Sequence, residues 1–193
     1  MRVRATTAER ERPLPGDEFI KNPVGALTHA ITIRASRRDI WPWLAQMGAG
    51  RAGWYSYDAI DNGGQPSAER VLPWFQDVAV GTLFPALPGA LDGFLVVACE
   101  PDWYLVLGWP AQDGRPLVTW TFALEELGPA RTRLIVRARG GRDYPFYGLP
   151  RVVGMPLVRI AHFIMQRKQL IGLTRRAEKN AKQTGGKSKS VAA

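Results

Sequence analysis

The stretch Gly48–Asn62 concentrates the side chains of this chain that could do chemistry. Its residues include one Arg, two Asp, one Asn and three aromatic rings, interspersed with three glycines. Aromatic rings are costly to leave in water, and polar groups are costly to bury without partners, so we expect a half-buried wall that is either structural or lines a site. Arg51 and a hydroxyl of Tyr55 or Tyr57 could orient a substrate carbonyl or carboxylate. Asp58 could act as an acid or base.

The same stretch allows a structural interpretation, which we prefer. Arg51 could form an ion pair with Asp58 or Asp61 and hold a short helix against the sheet, because a buried charge needs a partner. The glycine pattern at residues 48–53 spells GxGxxG, but it follows a predicted helix and not a strand. That context excludes a dinucleotide-binding loop.

Histidine and cysteine chemistry is limited by the small number of these residues. His29 and His162 are the only histidines, and Cys99 is the only cysteine. Neither histidine has a Cys or a second His at ligand spacing, so we expect no metal site and no cofactor. His162 could cap a cavity from the terminal helix, although we prefer a hydrogen-bonded histidine at a helix interface.

The hydrophobic pattern changes along the chain from helical to strand-like. A first strand is predicted at residues 27–35, followed by a helix that Ser36 caps and that ends near Met47. A second short helix is predicted over residues 54–61. Alternating segments between Pro, Gly and Asp turns predict five more strands, at residues 82–85, 93–100, 104–109, 117–125 and 131–139.

A long amphipathic helix is predicted from Pro150 or Pro156 to Lys182. The residues of its apolar stripe, at i, i+3 and i+4 spacing, are Val153, Leu157, Ile160, Ile164 and Ile171. The predicted fold is α+β, with a curved antiparallel sheet wrapped around this helix. One helix stripe cannot fill the concave side of such a sheet, so we expect a cavity between them.

Charge is distributed unevenly between the two parts of the chain. Residues 1–130 carry 11 basic and 15 acidic side chains, whereas residues 131–193 carry 15 basic and 2 acidic ones. Arg133, Arg137 and Arg139 alternate with apolar residues of the last strand, and we expect them mostly on its solvent face. The predicted divisions are a largely irregular arm at residues 1–25, a domain at 26–182 and a disordered basic tail at 183–193.

Several segments together resemble the START-like, or SRPBCC, superfamily, and within it the bacterial polyketide cyclase/dehydrase-like subgroup. The similarity extends over about residues 14–180. The matching segments are LPGDE at 14–18, AITI at 30–33, IWPWL at 40–44, QMG at 46–48, GRAGWYSYD at 50–58, EP at 100–101, TWTF at 119–122 and residues 163–170. The resemblance implies the helix-grip fold and a hydrophobic cavity. It does not imply one activity, because this fold hosts carriers, receptors and enzymes.

We therefore expect the chain to bind a hydrophobic small molecule, such as a lipid, an isoprenoid or a polyketide-like aromatic, in an internal cavity. The expected ligand-binding residues are Trp54, Tyr57, Trp74, Phe94, Trp109, Trp120, Phe122 and Phe163. One alternative is a cyclase or dehydratase that uses Arg51, Tyr55 or Tyr57, and Asp58. We prefer binding to catalysis because no nucleophile with a recognisable base is present.

A second alternative is a surface module whose basic terminal helix and tail contact an anionic membrane weakly. We do not expect nucleic acid to be the partner, because a charge run most often forms only a solvated face. The lone Cys99 fits a reducing compartment, and the N-terminal residues lack the apolar run of a signal peptide. The expected location is the cytoplasm. The oligomeric state is left open.

Overall fold

A computed structural model of the chain has the predicted α+β architecture. It describes the backbone of residues 1–143 and 151–190, and the side chains of residues 1–143 and 159–183. The strands are β1 (Gly25–Ile33), β2 (Leu83–Pro85), β3 (Gly93–Glu100), β4 (Tyr104–Pro110), β5 (Pro116–Gly128) and β6 (Arg131–Gly140). The helices are α1 (Thr7–Glu11), α2 (Arg37–Ala45), α3 (Asp58–Asp61) and α4 (Arg151–Ser190). Short 3₁₀ turns occupy Asp17–Phe19 and Pro73–Phe75.

The six strands form one antiparallel sheet in the order β1-β6-β5-β4-β3-β2. The first strand pairs with the last one, so the chain returns across the sheet before it enters α4. Alternation assigns each strand's residues to two faces, as in β5, where Trp120 and Phe122 point opposite to Thr119 and Thr121. Long α4 packs against β1 and α2. The predicted helix-grip fold is confirmed.

The main core lies between the concave face of the sheet and helices α2 and α4. Helix α2 begins at the predicted cap, where the Ser36 side chain accepts from the Asp39 N–H and the Asp39 carboxylate accepts from the Ser36 N–H. Core side chains from the sheet and the two helices are buried together, and they include Ile33, Trp43, Leu44, Leu105, Leu107, Phe122, Leu134, Leu170 and Leu173. This core fixes the position of α4 over the sheet.

The N-terminal arm, which was predicted to be largely irregular, covers the convex face of the sheet and contains two short helical segments. It contains α1, which Thr6 and Glu9 cap reciprocally, and the 3₁₀ turn that follows. Its apolar residues Ala5 and Leu14 form a second, smaller core with three side chains of the sheet, Ala30, Ala123 and Ile135. These tertiary contacts hold the Pro- and Gly-rich arm against the sheet.

The arginines of β6 anchor this arm, which corrects the prediction that they lie mostly on the solvent face. Arg137 is only 3% exposed and donates to Asp17 Oδ2 at 2.6 Å and to three backbone carbonyls of the arm. Arg133 pairs with Glu9 at 2.7 Å, and Arg139 with Asp17 at 3.0 Å. Alternation placed them on the correct face, but it could not show that the arm covers that face.

The buried face of α4 also differs from the predicted apolar stripe. Ile160 and Ile164 are exposed, and the side chains of Val153 and Leu157 lie outside the described residues. The buried positions instead follow the helical spacing of Gln166, Gln169, Leu170, Leu173, Thr174 and Ala177. Gln166 and Gln169 belong to this buried face because they form hydrogen bonds inside the protein. A stripe defined by apolar residues alone therefore predicted the wrong side of the helix as the buried one.

The end of α4 differs from the prediction as well. The helix continues to Ser190 and passes through Gly185 and Gly186, whereas a disordered tail was predicted from residue 183. A glycine costs a helix roughly 1 kcal/mol relative to alanine, so these glycines weaken a helix without necessarily ending it. Residues 191–193, the last part of that predicted tail, lie outside the described residues, as does Pro150.

Candidate functional site

The stretch Gly48–Asn62 forms a compact loop that ends in the single turn of α3. The predicted helix over residues 54–61 is wrong in its first half, because Gly53 and Tyr55 have left-handed backbone angles, φ 76° and 60°. A backbone bridge between Gly48 and Gly53 closes the loop. An L-residue rarely adopts this conformation, so the surrounding contacts must hold Tyr55 in it.

Arg51 caps the end of α2 and does not form the predicted ion pair with Asp58 or Asp61. Its guanidinium donates to the carbonyls of Met47 and Ala45, both at 2.9 Å. It also lies over the rings of Phe75 and Phe84 at 4.5 and 4.7 Å. The last carbonyls of a helix lack intrahelical partners and carry partial negative charge, which explains why a cation binds there.

Tyr55 and Asp58 are also engaged within the protein. The Tyr55 hydroxyl accepts from Gln46 Nε2 at 2.9 Å and donates to the Trp43 carbonyl at 3.2 Å, and its burial raises the pKa above the usual value. Asp58 accepts from the backbone N–H and the hydroxyl of Ser67, at 3.0 and 2.5 Å.

Tyr57, in contrast, is 40% exposed and lies under the Lys168 ammonium at 5.6 Å from the ring centre. Each of Arg51, Tyr55, Tyr57 and Asp58 is therefore engaged in contacts within the fold, and Tyr55 and Asp58 share Ser67 as a partner. They do not meet around a common space in which a substrate could sit.

A cavity of about 640 Å³ opens next to this loop, between the sheet and α4. Its walls carry Trp54 from the loop, Phe94 from β3, Trp109 from β4 and Trp120 from β5. Trp54 stacks on Trp120 with 5.4 Å between ring centres, and Phe94 meets Trp109 edge to face at 5.3 Å. The structure thus brings these four predicted ligand-binding residues together in one aromatic wall.

The other predicted ligand-binding residues lie elsewhere. Phe122 is fully buried in the core behind Trp120, at 5.0 Å between ring centres. Trp74 is 67% exposed on the 3₁₀ turn, and Phe163 is exposed on α4 and contacts His29. Tyr57 is exposed as described above. Aromatic type alone could not separate wall, core and surface positions, because all three can accommodate a ring.

The polar lining of the cavity was not predicted as a site. Gln166 and Gln169 project from α4, and Gln166 accepts from Trp120 Nε1 at 2.9 Å and donates to Gln169 Oε1 at 2.7 Å. These bonds fix the orientation of the Trp120 ring. The sequence feature that could have indicated this lining is the spacing of the two glutamines, at i and i+3 on the same helix face as Leu170 and Leu173.

Asp61 is an ionisable group of the cavity whose environment changes its pKa markedly. It is 8% exposed, it lines the cavity, and its Oδ1 atom has no hydrogen-bond partner among the described residues. Burial and the nearby charge of Asp58 raise its pKa from 3.8 to about 6, and a hydrogen bond with Ser56 limits the rise. From the sequence, Asp61 was predicted only as a possible ion-pair partner of Arg51.

His162 lines the cavity from α4, as the capping alternative proposed, and its ring lies 5.5 Å from that of His29. Burial and the neighbouring His29 lower the His162 pKa to about 4, so the ring is neutral at pH 7. Its Nε2 atom has no hydrogen-bond partner within the described part of the chain. The preferred alternative, a hydrogen-bonded histidine, therefore does not hold at this atom.

Within residues 1–143 and 159–183, no group of three or more His, Cys, Asp or Glu side chains could hold a metal ion. Among the described helices, none is both long enough and apolar enough to cross a membrane.

No family model and no curated protein matches the chain. A solved protein from Mesorhizobium loti is similar at 17% identity with a TM-score of 0.50, over 80% of this chain and 98% of that one. A polyketide cyclase-like protein from Corynebacterium glutamicum is 14% identical with a TM-score of 0.48, over 78% and 89%. A self-sacrificing resistance protein from Micromonospora echinospora is 13% identical with a TM-score of 0.44, over 83% and 98%. The likeness to the Mesorhizobium loti protein shows a common fold, and at 17% identity it does not indicate a common activity.

Proposed function

Because the chain has the helix-grip fold of the START-like superfamily, we propose that it binds a hydrophobic small molecule in the cavity between its sheet and α4. The observation that carries this proposal is the wall of Trp54, Phe94, Trp109 and Trp120 around about 640 Å³. Pockets for small ligands typically measure about 300–1,000 Å³ and combine apolar walls with a few polar groups. This cavity has both properties.

The arrangement of the rings favours a ligand with a flat aromatic part. Trp54 and Trp120 are stacked with 28° between their planes, and Phe94 is tilted against Trp120 at 5.5 Å. Offset-stacked and edge-to-face contacts contribute roughly 0.5–1.5 kcal/mol per pair beyond the burial of area. A polyketide-like aromatic could extend this set of contacts, whereas a saturated chain would gain from burial alone.

The enzyme alternative draws no support from the residues first considered for it. Arg51 and Tyr55 bond to backbone carbonyls, and Asp58 bonds to Ser67. One basic residue of the terminal helix, which was considered for a surface module, is likewise engaged in the fold, because Arg176 binds Glu69. The exposed basic residues of α4 leave weak contact with an anionic membrane as an untested prediction.

A fluorescence titration with the neutral hydrophobic dye Nile red tests the proposed function. Replacement of Trp120 by Ala removes a wall residue, and we expect the dissociation constant to rise at least tenfold. Trp74→Ala is the matched control, because it removes the same side chain at an exposed position away from the cavity. Equal affinity of wild type and a folded Trp120→Ala variant, or an equal loss in both variants, would overturn the proposal.

A further inference from the structure

The charged lining of the cavity has one sign. Asp61 and Asp92 both line it, and no Lys or Arg does so among the described residues. The one basic group there is His162, which burial and His29 keep neutral at pH 7. Although the chain has a formal net charge of +9, the charged side chains that line its aromatic cavity are, among the described residues, all carboxylates.

Asp61 is more buried than the half-buried carboxylates Glu9 and Asp17, but unlike them it lacks a cationic partner among the described residues. Glu9 pairs with Arg133, and Asp17 pairs with Arg137 and Arg139. No described Lys, Arg or His lies within salt-bridge distance of Asp61, although Asp61 is 8% exposed. A buried carboxylate is costly unless a charge or hydrogen-bond donors compensate it. The Asp61 carboxylate lines the cavity, and its buried Oδ1 atom has no partner among the described residues.

We propose that the cavity selects an amphipathic organic cation, whose ammonium group pairs with Asp61 while its apolar body lies against the tryptophan wall. This inference rests on the proposed function and names the chemical class of its ligand. Trp is the strongest aromatic partner for a cation, and Trp54 lines the same cavity as Asp61. A carboxylate beside indole rings therefore attracts the same end of the ligand in two ways.

The other polar groups of the cavity fit this assignment. Gln166 Oε1 already accepts from Trp120, and Gln169 Oε1 already accepts from Gln166. An ammonium group carries donors and no acceptor, so it needs acceptors that are free. The Asp61 carboxylate meets this need, because it lines the cavity and carries no cationic partner among the described residues. Neutral His162 adds no positive charge that would repel the ligand.

The binding of two matched ligands to the wild-type protein is the first test of the inference. 2-Naphthylmethylamine and 2-naphthalenemethanol share the ring and the methylene group and differ in carrying an ammonium or a hydroxyl. Isothermal titration calorimetry at pH 7.5 should give a dissociation constant for the amine at least tenfold lower than for the alcohol. In an Asp61→Asn variant the two ligands should bind within about twofold of each other, with the affinity for the alcohol retained.

Asp77→Asn is the control, because it removes one exposed carboxylate that does not line the cavity, and it should keep the preference for the amine. If the alcohol binds wild type as tightly as the amine, the inference fails while the proposed function stands. If neither ligand binds, the proposed function fails and the inference fails with it. A preference for the amine that persists in Asp61→Asn would overturn the assignment to Asp61.

Discussion

The carboxylates on the two faces of the sheet differ in whether they have a cationic partner. On the convex face, the arm and β6 place Glu9 against Arg133 and Asp17 against Arg137. On the concave face, Asp61 is buried, and none of the described side chains pairs with it as a cation. The hydrogen bond and charge of Arg133 lower the Glu9 pKa to about 2, whereas burial raises that of Asp61 to about 6.

The paired carboxylates of the convex face stabilise the fold, whereas the described residues leave the Asp61 carboxylate of the concave face without a cation. The convex pairs stabilise the arm, and each carboxylate there is compensated by the chain itself. The Asp61 carboxylate costs stability in the folded protein, and a fold retains such a cost where a ligand can offset it. A ligand that pairs with Asp61 would therefore bind on the concave side of the sheet.

The largest expected effect comes from removing a charge on the convex face. Arg137→Met would leave Asp17 without its closest cation and free several backbone carbonyls of the arm. Breaking a buried pair costs about 3–5 kcal/mol, and we expect a loss of that size in the free energy of unfolding measured in urea. Arg115→Met is the control, because Arg115 forms only exposed pairs, and this variant should lose much less stability than Arg137→Met. Equal losses would contradict the structural role of the arm.

On the concave side, the contact of α4 with the Gly48–Asn62 loop should be nearly as sensitive. A Cβ at Gly172 would meet the Tyr55 carbonyl oxygen at 2.4 Å, so Gly172→Ala must push α4 away from the loop. We expect a loss of about 1–3 kcal/mol in urea unfolding, the usual cost of overpacking.

Whether Gly172→Ala lowers or raises the free energy of unfolding tests how closely α4 approaches Tyr55. In a helix without such a contact, Gly→Ala stabilises by roughly 0.5–1 kcal/mol. A gain in stability would therefore show that α4 does not approach Tyr55 as closely as described.

A smaller and opposite effect is expected for Asp61→Asn. Because the folded-state pKa of Asp61 is raised, the folded protein binds this proton more tightly than the unfolded chain, and stability falls as pH rises from about 4 to about 6. Asn removes this cost, so the variant should gain about 2 kcal/mol above pH 6 and little below pH 4.

The convex carboxylate should show the reverse dependence on pH. The lowered pKa of Glu9 contributes stability that is complete above about 4.5 and is lost as pH falls toward 2. Urea unfolding of Glu9→Gln and Asp61→Asn between pH 3 and 8 checks both signs. A Glu9→Gln variant that is more stable than wild type at pH 7, or an Asp61→Asn variant that is less stable, would contradict the comparison.

The sheet could be predicted from sequence more fully than the site could. Strand β3 matches its prediction at both ends, and β5 and β6 differ by a few residues, because turn residues bound each alternating run. The cavity wall followed in part from Trp109 and Trp120 on the predicted concave strands. These features depend on local pattern.

The remaining features depend on contacts between distant segments. The buried face of α4 includes Gln166 because Trp120 lies opposite to it, and the arm is ordered because Arg137 reaches it from β6. The environment of Asp61 arises where the loop meets α4. Nothing in the local sequence distinguishes it from Asp58, three residues earlier, which Ser67 satisfies.

The indole N–H signals of the seven tryptophans test the central claim most directly. Addition of 2-naphthalenemethanol to ¹⁵N-labelled protein should shift the signals of Trp54, Trp109 and Trp120, which line the cavity. Those of Trp41, Trp43, Trp74 and Trp103 should stay in place, with each signal assigned by a Trp→Phe variant. Shifts at exposed Trp74 or Trp103 together with unchanged cavity signals would contradict binding in this cavity.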